Sequence, residues 1–172
     1  MSESAAFHGA LKAEVVFPGD GRALRDAVVE IEQGRITGVH DRRIQGAVDL
    51  GRVAILPALI NAHTHLEFSH LVRPLGPSHP FADWIRAVVG ERRSRTAVRR
   101  DSLRLGLDES AGAGTAWLGE ISTTDDGAVS HQGADPSCVT FRELLGLRDD
   151  AIDGQIEIAR RHLHESPNAM AQ

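Results

Sequence analysis

The stretch "LPALINAHTHLEFSH", residues 56–70, places three histidines within eight residues, the first two alternating directly after an apolar run. In a β-strand, residues i and i+2 point to the same face, so His63 and His65 project together while Thr64 points away. Two imidazoles on one face at the C-terminal end of a strand can share a divalent metal. The C-terminal end is also where α/β folds gather their active-site groups. The competing reading is a pair of solvated or hydrogen-bonded histidines. The apolar strand, Pro57 before it and the polar loop after it favour ligands over that reading.

Downstream of the histidines, strands and helices alternate. "ALINAHTH" lacks clean alternation and suits a strand buried on both faces. The loop "RPLGPSHP", residues 73–80, leads into "FADWIRAVVGERR", where Trp84, Ile85, Val88 and Val89 fall on one helical face. A second helix is expected over roughly residues 96–111, with Leu103, Leu107 and Ala111 at spacing four. "AGAG" ends it and "TAWLGEI" reads as a strand. A polar loop, residues 122–137, precedes the strand "CVTF", and "RELLGL" bridges to a helix over roughly 149–164. This order predicts a parallel sheet with crossover connections.

Upstream, residues 1–57 read as short strands between turns. "AEVVF" stops at "PGDG", and "DAVVEIEQGRITGVH" gives two strands, 27–32 and 35–40, around Gln33-Gly34. "AVDL" and "VAIL" follow as further short strands. Exposed edges of such an all-β segment need another strand or domain to cover them.

Composition excludes several classes. Apolar residues make up 41% and charged residues 25%, both ordinary globular values, and the net charge is −5. The only basic cluster, Arg92, Arg93, Arg95, Arg99 and Arg100, reads as a solvated helix face because no aromatic residues interleave to stack bases. Nucleic acid is therefore not an expected partner. The single cysteine, Cys138, excludes an intrachain disulfide and a cysteine-built zinc site, and its strand context reads as a buried structural thiol. The N-terminus lacks the pattern of a secretory signal, and the longest apolar run, "VAILPALI", is far below the ~18 residues needed to span a bilayer. The expected compartment is the cytoplasm, with no membrane partner.

"LPALINAHTHLEFS" resembles the first barrel strand of the amidohydrolase superfamily, metal-dependent hydrolases and deaminases built on a (β/α)8 barrel. "GTAWLGEIST" resembles their second strand and "VTFRELLGL" their third. "HLEFS", with "LGPSHPFADWIRAVV", is most similar to the branch containing cytosine deaminases, chlorohydrolases and aminodeoxyfutalosine deaminase. The resemblance implies an α/β fold: part of a small β-sandwich over residues 1–57, then the first three strand–helix units of an incomplete TIM barrel over 58–172. It implies that His63 and His65 are metal ligands, for zinc or iron, and that the reaction is hydrolysis of a C–N or C–Cl bond on a small, heterocyclic substrate. Glu67, two residues beyond His65, would face the pocket mouth if the strand continued. Glu120 and Glu143 stand near the ends of the next two strands, where family members put substrate-binding residues. One departure stands inside the motif: Ala58 occupies a place where these proteins usually have Gly.

The remaining histidines carry less. His70, His79 and His131 lie in loops and read as solvated, and His162 and His164 are two apart on a helix and face different directions. His8 and His40 carry no signal.

Length sets a further expectation. Residues 58–172 number 115, whereas a complete barrel takes about 250. Only three of eight units fit, and the family's later histidines and its essential aspartate have no counterpart. The resulting expectation is a truncated chain, inactive alone. Two alternatives stay open. One is a non-catalytic module paired with a partner chain that supplies the missing strands. The other is a phosphoesterase of the polymerase-and-histidinol-phosphatase type, which also uses an early HxH strand but normally opens with it.

Overall fold

The computed structural model describes residues 7–76, 80–94, 99–124, 136–146 and 148–165. His79, His131 and Arg95 therefore lie outside the described residues, as do the side chains of Arg99 and Arg100. The chain divides into two compact units, Met1–Pro57 and Ala58–Gln172.

The first unit is a single mixed sheet. Its strands are β1 (Gly9–Val16), β2 (Leu24–Glu32), β3 (Arg35–His40), β4 (Val48–Asp49) and β5 (Ala54–Ile55). The order is β3-β2-β1-β4, and β5 also pairs with β1. Gln33 and Gly34 both take positive φ, 51° and 74°. That is the backbone of a tight two-residue hairpin turn, and it sets Glu32 opposite Arg35. The core is Ala13, Val16, Ala27 and Val29. The two short strands β4 and β5 run parallel to β1 along the same edge.

The second unit alternates as expected. It contains β6 (Leu59–Thr64), a 3-10 turn (Leu66–Phe68), α1 (Phe81–Ser94), α2 (Arg99–Gly112), β7 (Thr115–Ser122), β8 (Ser137–Arg142) and α3 (Ile152–Glu165). The three strands form a parallel sheet in the order β6-β7-β8. A cluster of Leu66, Leu103, Leu107 and Leu118 joins the turn, α2 and β7, with Cys138 of β8 packed against it. Burying a leucine fully is worth about 1.5–3 kcal/mol, so these four side chains are the main adhesive of the unit. Burial also pushes the Cys138 thiol up to about 11, and nearby Glu120 adds to the shift. Cys138 is only partly buried, where its strand context suggested a buried structural thiol.

Two local expectations do not hold. β6 is not covered on both faces: every residue from Leu59 to His63 is exposed, and Ile60 is 71% exposed. The apolar run marks a surface that no described element covers. The helix α1 likewise has no buried residue, although Trp84 and Val88 on its apolar face are half-covered.

Gly119, in the middle of β7, is pressed against β6. A Cβ there would stand 2.3 Å from the Ala62 carbonyl oxygen and 2.8 Å from its carbon. Both are backbone atoms, so the contact cannot relax by rotating a side chain. Gly119→Ala is expected to force the strands apart and cost about 1–3 kcal/mol. Both tryptophans, Trp84 and Trp117, lie in this unit. Urea unfolding followed by tryptophan fluorescence reads the loss directly.

Candidate metal centre

The C-terminal ends of β6, β7 and β8 lie side by side because the strands are parallel and in register, with Thr64 opposite Glu120 and Ser122 opposite Arg142. His63 ends the exposed part of β6, and His65 is the first residue past the strand. The ladder is irregular between Asn61 and Thr64, yet the two imidazoles still meet. Their ring centroids are 5.3 Å apart with planes at 73°. Two imidazoles bound to one tetrahedral zinc at ~2.1 Å through their far nitrogens have centroids roughly 5 Å apart. The centroid spacing matches that of two ligands of one ion.

The proton position on His65 also fits. Its Nδ1 lies 3.0 Å from the Ile121 carbonyl oxygen. A carbonyl only accepts, so Nδ1 carries the hydrogen and Nε2 keeps its lone pair. A metal-binding histidine is commonly oriented in this way by a carbonyl or carboxylate on its other nitrogen. Arg92 Nη2 is 3.5 Å from the same Nδ1, but a protonated nitrogen cannot accept from it. Among the described residues, no group of three or more His, Cys, Asp or Glu is arranged to hold a metal. Two imidazoles are offered to an ion, and no third ligand among the described residues stands beside them.

Glu67 is not carried to a pocket mouth by a continuing strand. The strand ends at Thr64, the chain turns through Leu66–Phe68, and Glu67 is 8% exposed. Its Oε1 accepts from Arg92 Nε at 2.8 Å. Arg92 Nη2 donates to Glu143 Oε2 at 3.2 Å, and the guanidinium sits 5.3 Å from the centre of the Phe68 ring. One arginine from α1 thus joins the chain after β6 to the chain after β8. Arg92 was grouped with a solvated basic face; here its side chain is only 15% exposed. The signal was present in the helix. Trp84, Val88, Glu91 and Arg92 follow at spacings of three and four, so Glu91 and Arg92 continue the apolar face.

His70, expected to be solvated, is also held. Its Nε2 lies 3.0 Å from Glu91 Oε1, and its Nδ1 lies 2.8 Å from Ser102 Oγ and 3.1 Å from the Glu67 carbonyl oxygen. It ties the turn to α1 and α2. His162 does not approach the histidine pair; its Nε2 lies 3.2 Å from the Thr140 carbonyl.

Glu120 is placed differently from a substrate-contacting residue. It shares its strand parity with Leu118 and Ser122, all buried, and is 1% exposed. Its Oε2 accepts the Leu66 backbone N–H at 2.9 Å, and its Oε1 has no partner. Desolvation raises its pKa to about 7, with the nearby Glu67 carboxylate adding to the shift and the Leu66 N–H opposing it.

No protein-family model matches the chain. Over 81 residues it is 36% identical to a 5-methylthioadenosine/S-adenosylhomocysteine deaminase of Nitratidesulfovibrio vulgaris, covering 42% of this chain and 18% of that protein. The structure aligns with Helicobacter pylori aminofutalosine deaminase in complex with methylthio-coformycin at a TM-score of 0.73 and 21% identity. That match covers 91% of this chain and 40% of the deaminase. The chain is thus similar to one deaminase in sequence over those 81 residues and to another in fold. A third similar protein, an atrazine chlorohydrolase from Arthrobacter aurescens complexed with zinc and atraton, aligns at a TM-score of 0.60 and 18% identity. It covers 91% of this chain and 42% of that one. The chain thus spans less than half the length of the relatives it matches. No helix among its described residues is long and apolar enough to cross a membrane.

Two outcomes follow from this geometry. Removing the guanidinium takes a charged partner from the buried Glu67 carboxylate, so Arg92→Met is expected to lose roughly 2–4 kcal/mol of stability. The double variant Arg92→Met/Glu67→Gln is expected to regain part of it, as a urea-denaturation cycle measures. The second concerns pH. The ordinary value for Glu120 is 4.5 and the folded value is about 7, so between them the native state binds more protons than the unfolded chain. Stability contributed here is full below about pH 4.5 and falls as pH rises through 7. Glu120→Gln mimics the protonated acid and is expected to remove most of that fall, on the order of 2–3 kcal/mol between pH 5 and pH 8.

Proposed function

We propose that this chain carries the front of a metal-dependent amidohydrolase acting on a C–N bond of a small heterocyclic substrate, with His63 and His65 as two ligands of the metal. The observation that carries this reading is the paired imidazoles, 5.3 Å apart, with the His65 proton directed to Ile121 and its other nitrogen left for an ion. On this reading residues 1–57 are part of a β-sandwich, and residues 58–172 are the first three strand–helix units of a (β/α)8 barrel. The names of two of the relatives, a methylthioadenosine deaminase and an aminofutalosine deaminase, point to a nucleoside-like substrate.

When bound, zinc or iron would supply Lewis-acid activation of the attacking water. The chain's own residues would do the rest that lies within reach. His63 and His65 present neutral nitrogens, and the Ile121 carbonyl keeps the second ring from turning. Glu143, paired with Arg92 and half-exposed, would accept a hydrogen bond from a substrate N–H or O–H. Glu67 is the second candidate for substrate contact; its link to Arg92 would have to yield or be shared.

Two imidazoles are too few for a catalytic metal, which takes at least three protein ligands. We propose that the 172-residue chain alone is inactive and that further polypeptide completes the site. One observation favours a partner that adds strands: Leu59, Ile60, Trp117 and Phe141 are exposed large apolar residues on the sheet. Apolar surface of that kind beside unpaired strand edges invites another strand. The phosphoesterase alternative has no relative among those described above.

Calorimetric zinc titration of the purified chain tests the ligand pair. Weak binding is expected, lost in His63→Ala and in His65→Ala, with no release of ammonia from adenosine-type nucleosides. Absence of any binding that depends on these histidines would remove the metal reading. Tight stoichiometric zinc, or turnover abolished by His63→Ala, would remove the proposal that the chain alone is inactive.

A further inference from the structure

We infer that Glu120 is a positioning residue for His65, acting through the peptide bond that follows the histidine. The inference rests on the proposed ligand role of His65, and its observations come from β7 rather than from the histidine pair itself.

The peptide between His65 and Leu66 is held at both ends. Its N–H, that of Leu66, donates to Glu120 Oε2 at 2.9 Å, and its carbonyl, that of His65, accepts from the Phe68 N–H at 3.1 Å. With the plane of this peptide fixed, the ψ of His65 is fixed at 81°, beside a φ of −126°. These values are neither strand nor helix, so no regular secondary structure maintains them. The Leu66 side chain locks the other side of the turn in the leucine cluster. The next residue of β7 completes the grip, since the Ile121 carbonyl takes the His65 ring proton. Two consecutive residues of β7 thus hold His65, Glu120 by the backbone and Ile121 by the ring.

The choice of glutamate follows from reach and from burial. Thr64 is the ladder partner of Glu120, so the amide it must meet belongs to a residue two positions further along the neighbouring chain. A side chain with two methylenes spans that offset, and aspartate is one methylene short. A buried carboxyl with one oxygen lacking any partner is costly. Nothing in the packing of Leu118 and the α2 leucines requires such a group, so its position is explained by the one amide it holds.

The test uses the ¹⁵N-labelled full chain without added metal at neutral pH, with the His65 ring nitrogens assigned against His65→Gln. In the wild type, ring ¹⁵N shifts are expected to show one tautomer with the hydrogen on Nδ1, and the Leu66 amide is expected to be protected from exchange. Glu120→Gln keeps an acceptor and is expected to preserve both signatures. Glu120→Leu and Glu120→Asp are expected to mix the His65 tautomers and to speed Leu66 exchange about tenfold or more. Retention of the single tautomer in either folded variant would overturn the inference. If neither variant folds, an unprotected Leu66 amide in the wild type overturns it and a protected one, shared with Glu120→Gln, supports it. The ring readout does not depend on zinc. A chain that shows these shifts and binds no metal refutes the ligand role alone. A chain that binds zinc equally well in all variants and shows no shift refutes the role of Glu120 alone.

Discussion

The hydrogen bond from the Leu66 amide to Glu120 is the constraint on which the rest of the second unit turns. It sits where β6 stops being a strand. The chain there must leave the sheet, bury Leu66 against α2, and still present His65 beside His63. A single amide in the interior, held by a carboxyl from the adjacent strand, reconciles those demands. A buried hydrogen bond of this type is worth about 1–3 kcal/mol when the acceptor is charged. Its larger effect is directional, because it decides which way the chain departs.

Around that point the charges are arranged in pairs rather than left to solvent. Arg92 reaches from α1 to Glu67 and Glu143, and His70 reaches from the turn to Glu91 and Ser102. Both sets tie helices to the strand ends. Such contacts carry a desolvation cost that their mutual attraction only partly offsets, so their main contribution is to select one arrangement. Gly106 serves the same end from α2. A Cβ there would stand 2.3 Å from Ser69 Oγ and 2.8 Å from Leu66 Cδ2, so the helix lies directly on the turn.

The histidine pair and its support differ in how they relate to the described chain. The support is built from several elements: β7 holds Leu66 and His65, while α1 and α2 hold Glu67 and His70. Among the described residues the pair supplies two donors, and the sheet carries exposed Ile60, Trp117 and Phe141. A well-held turn beside two donors and an uncovered apolar sheet is the physical basis for proposing further polypeptide around it.

Much of this was legible in the residues. Gln33-Gly34 announced the hairpin, and both residues take positive φ at its turn. The strand–helix order after Pro57 followed from changes of hydrophobic period, and His63 and His65 were marked by their parity, the apolar strand before them and the resemblance of the motif. Parity failed at Glu67, because the two-residue period holds only while the strand lasts and β6 ends at Thr64. The resemblance set Glu120 among the substrate-binding residues from its place near a strand end, but that place says nothing about which side of the sheet is covered, and Glu120 is buried. Arg92 and His70 were assigned to solvent because a charged residue in sequence carries no mark of its partner. What the sequence by itself determined were the periods, turns and spacings, all local properties of the backbone. Which carboxylate is buried, which arginine is paired and which amide is held depend on groups 25 to 54 residues apart, and only the packed tertiary structure brings those together.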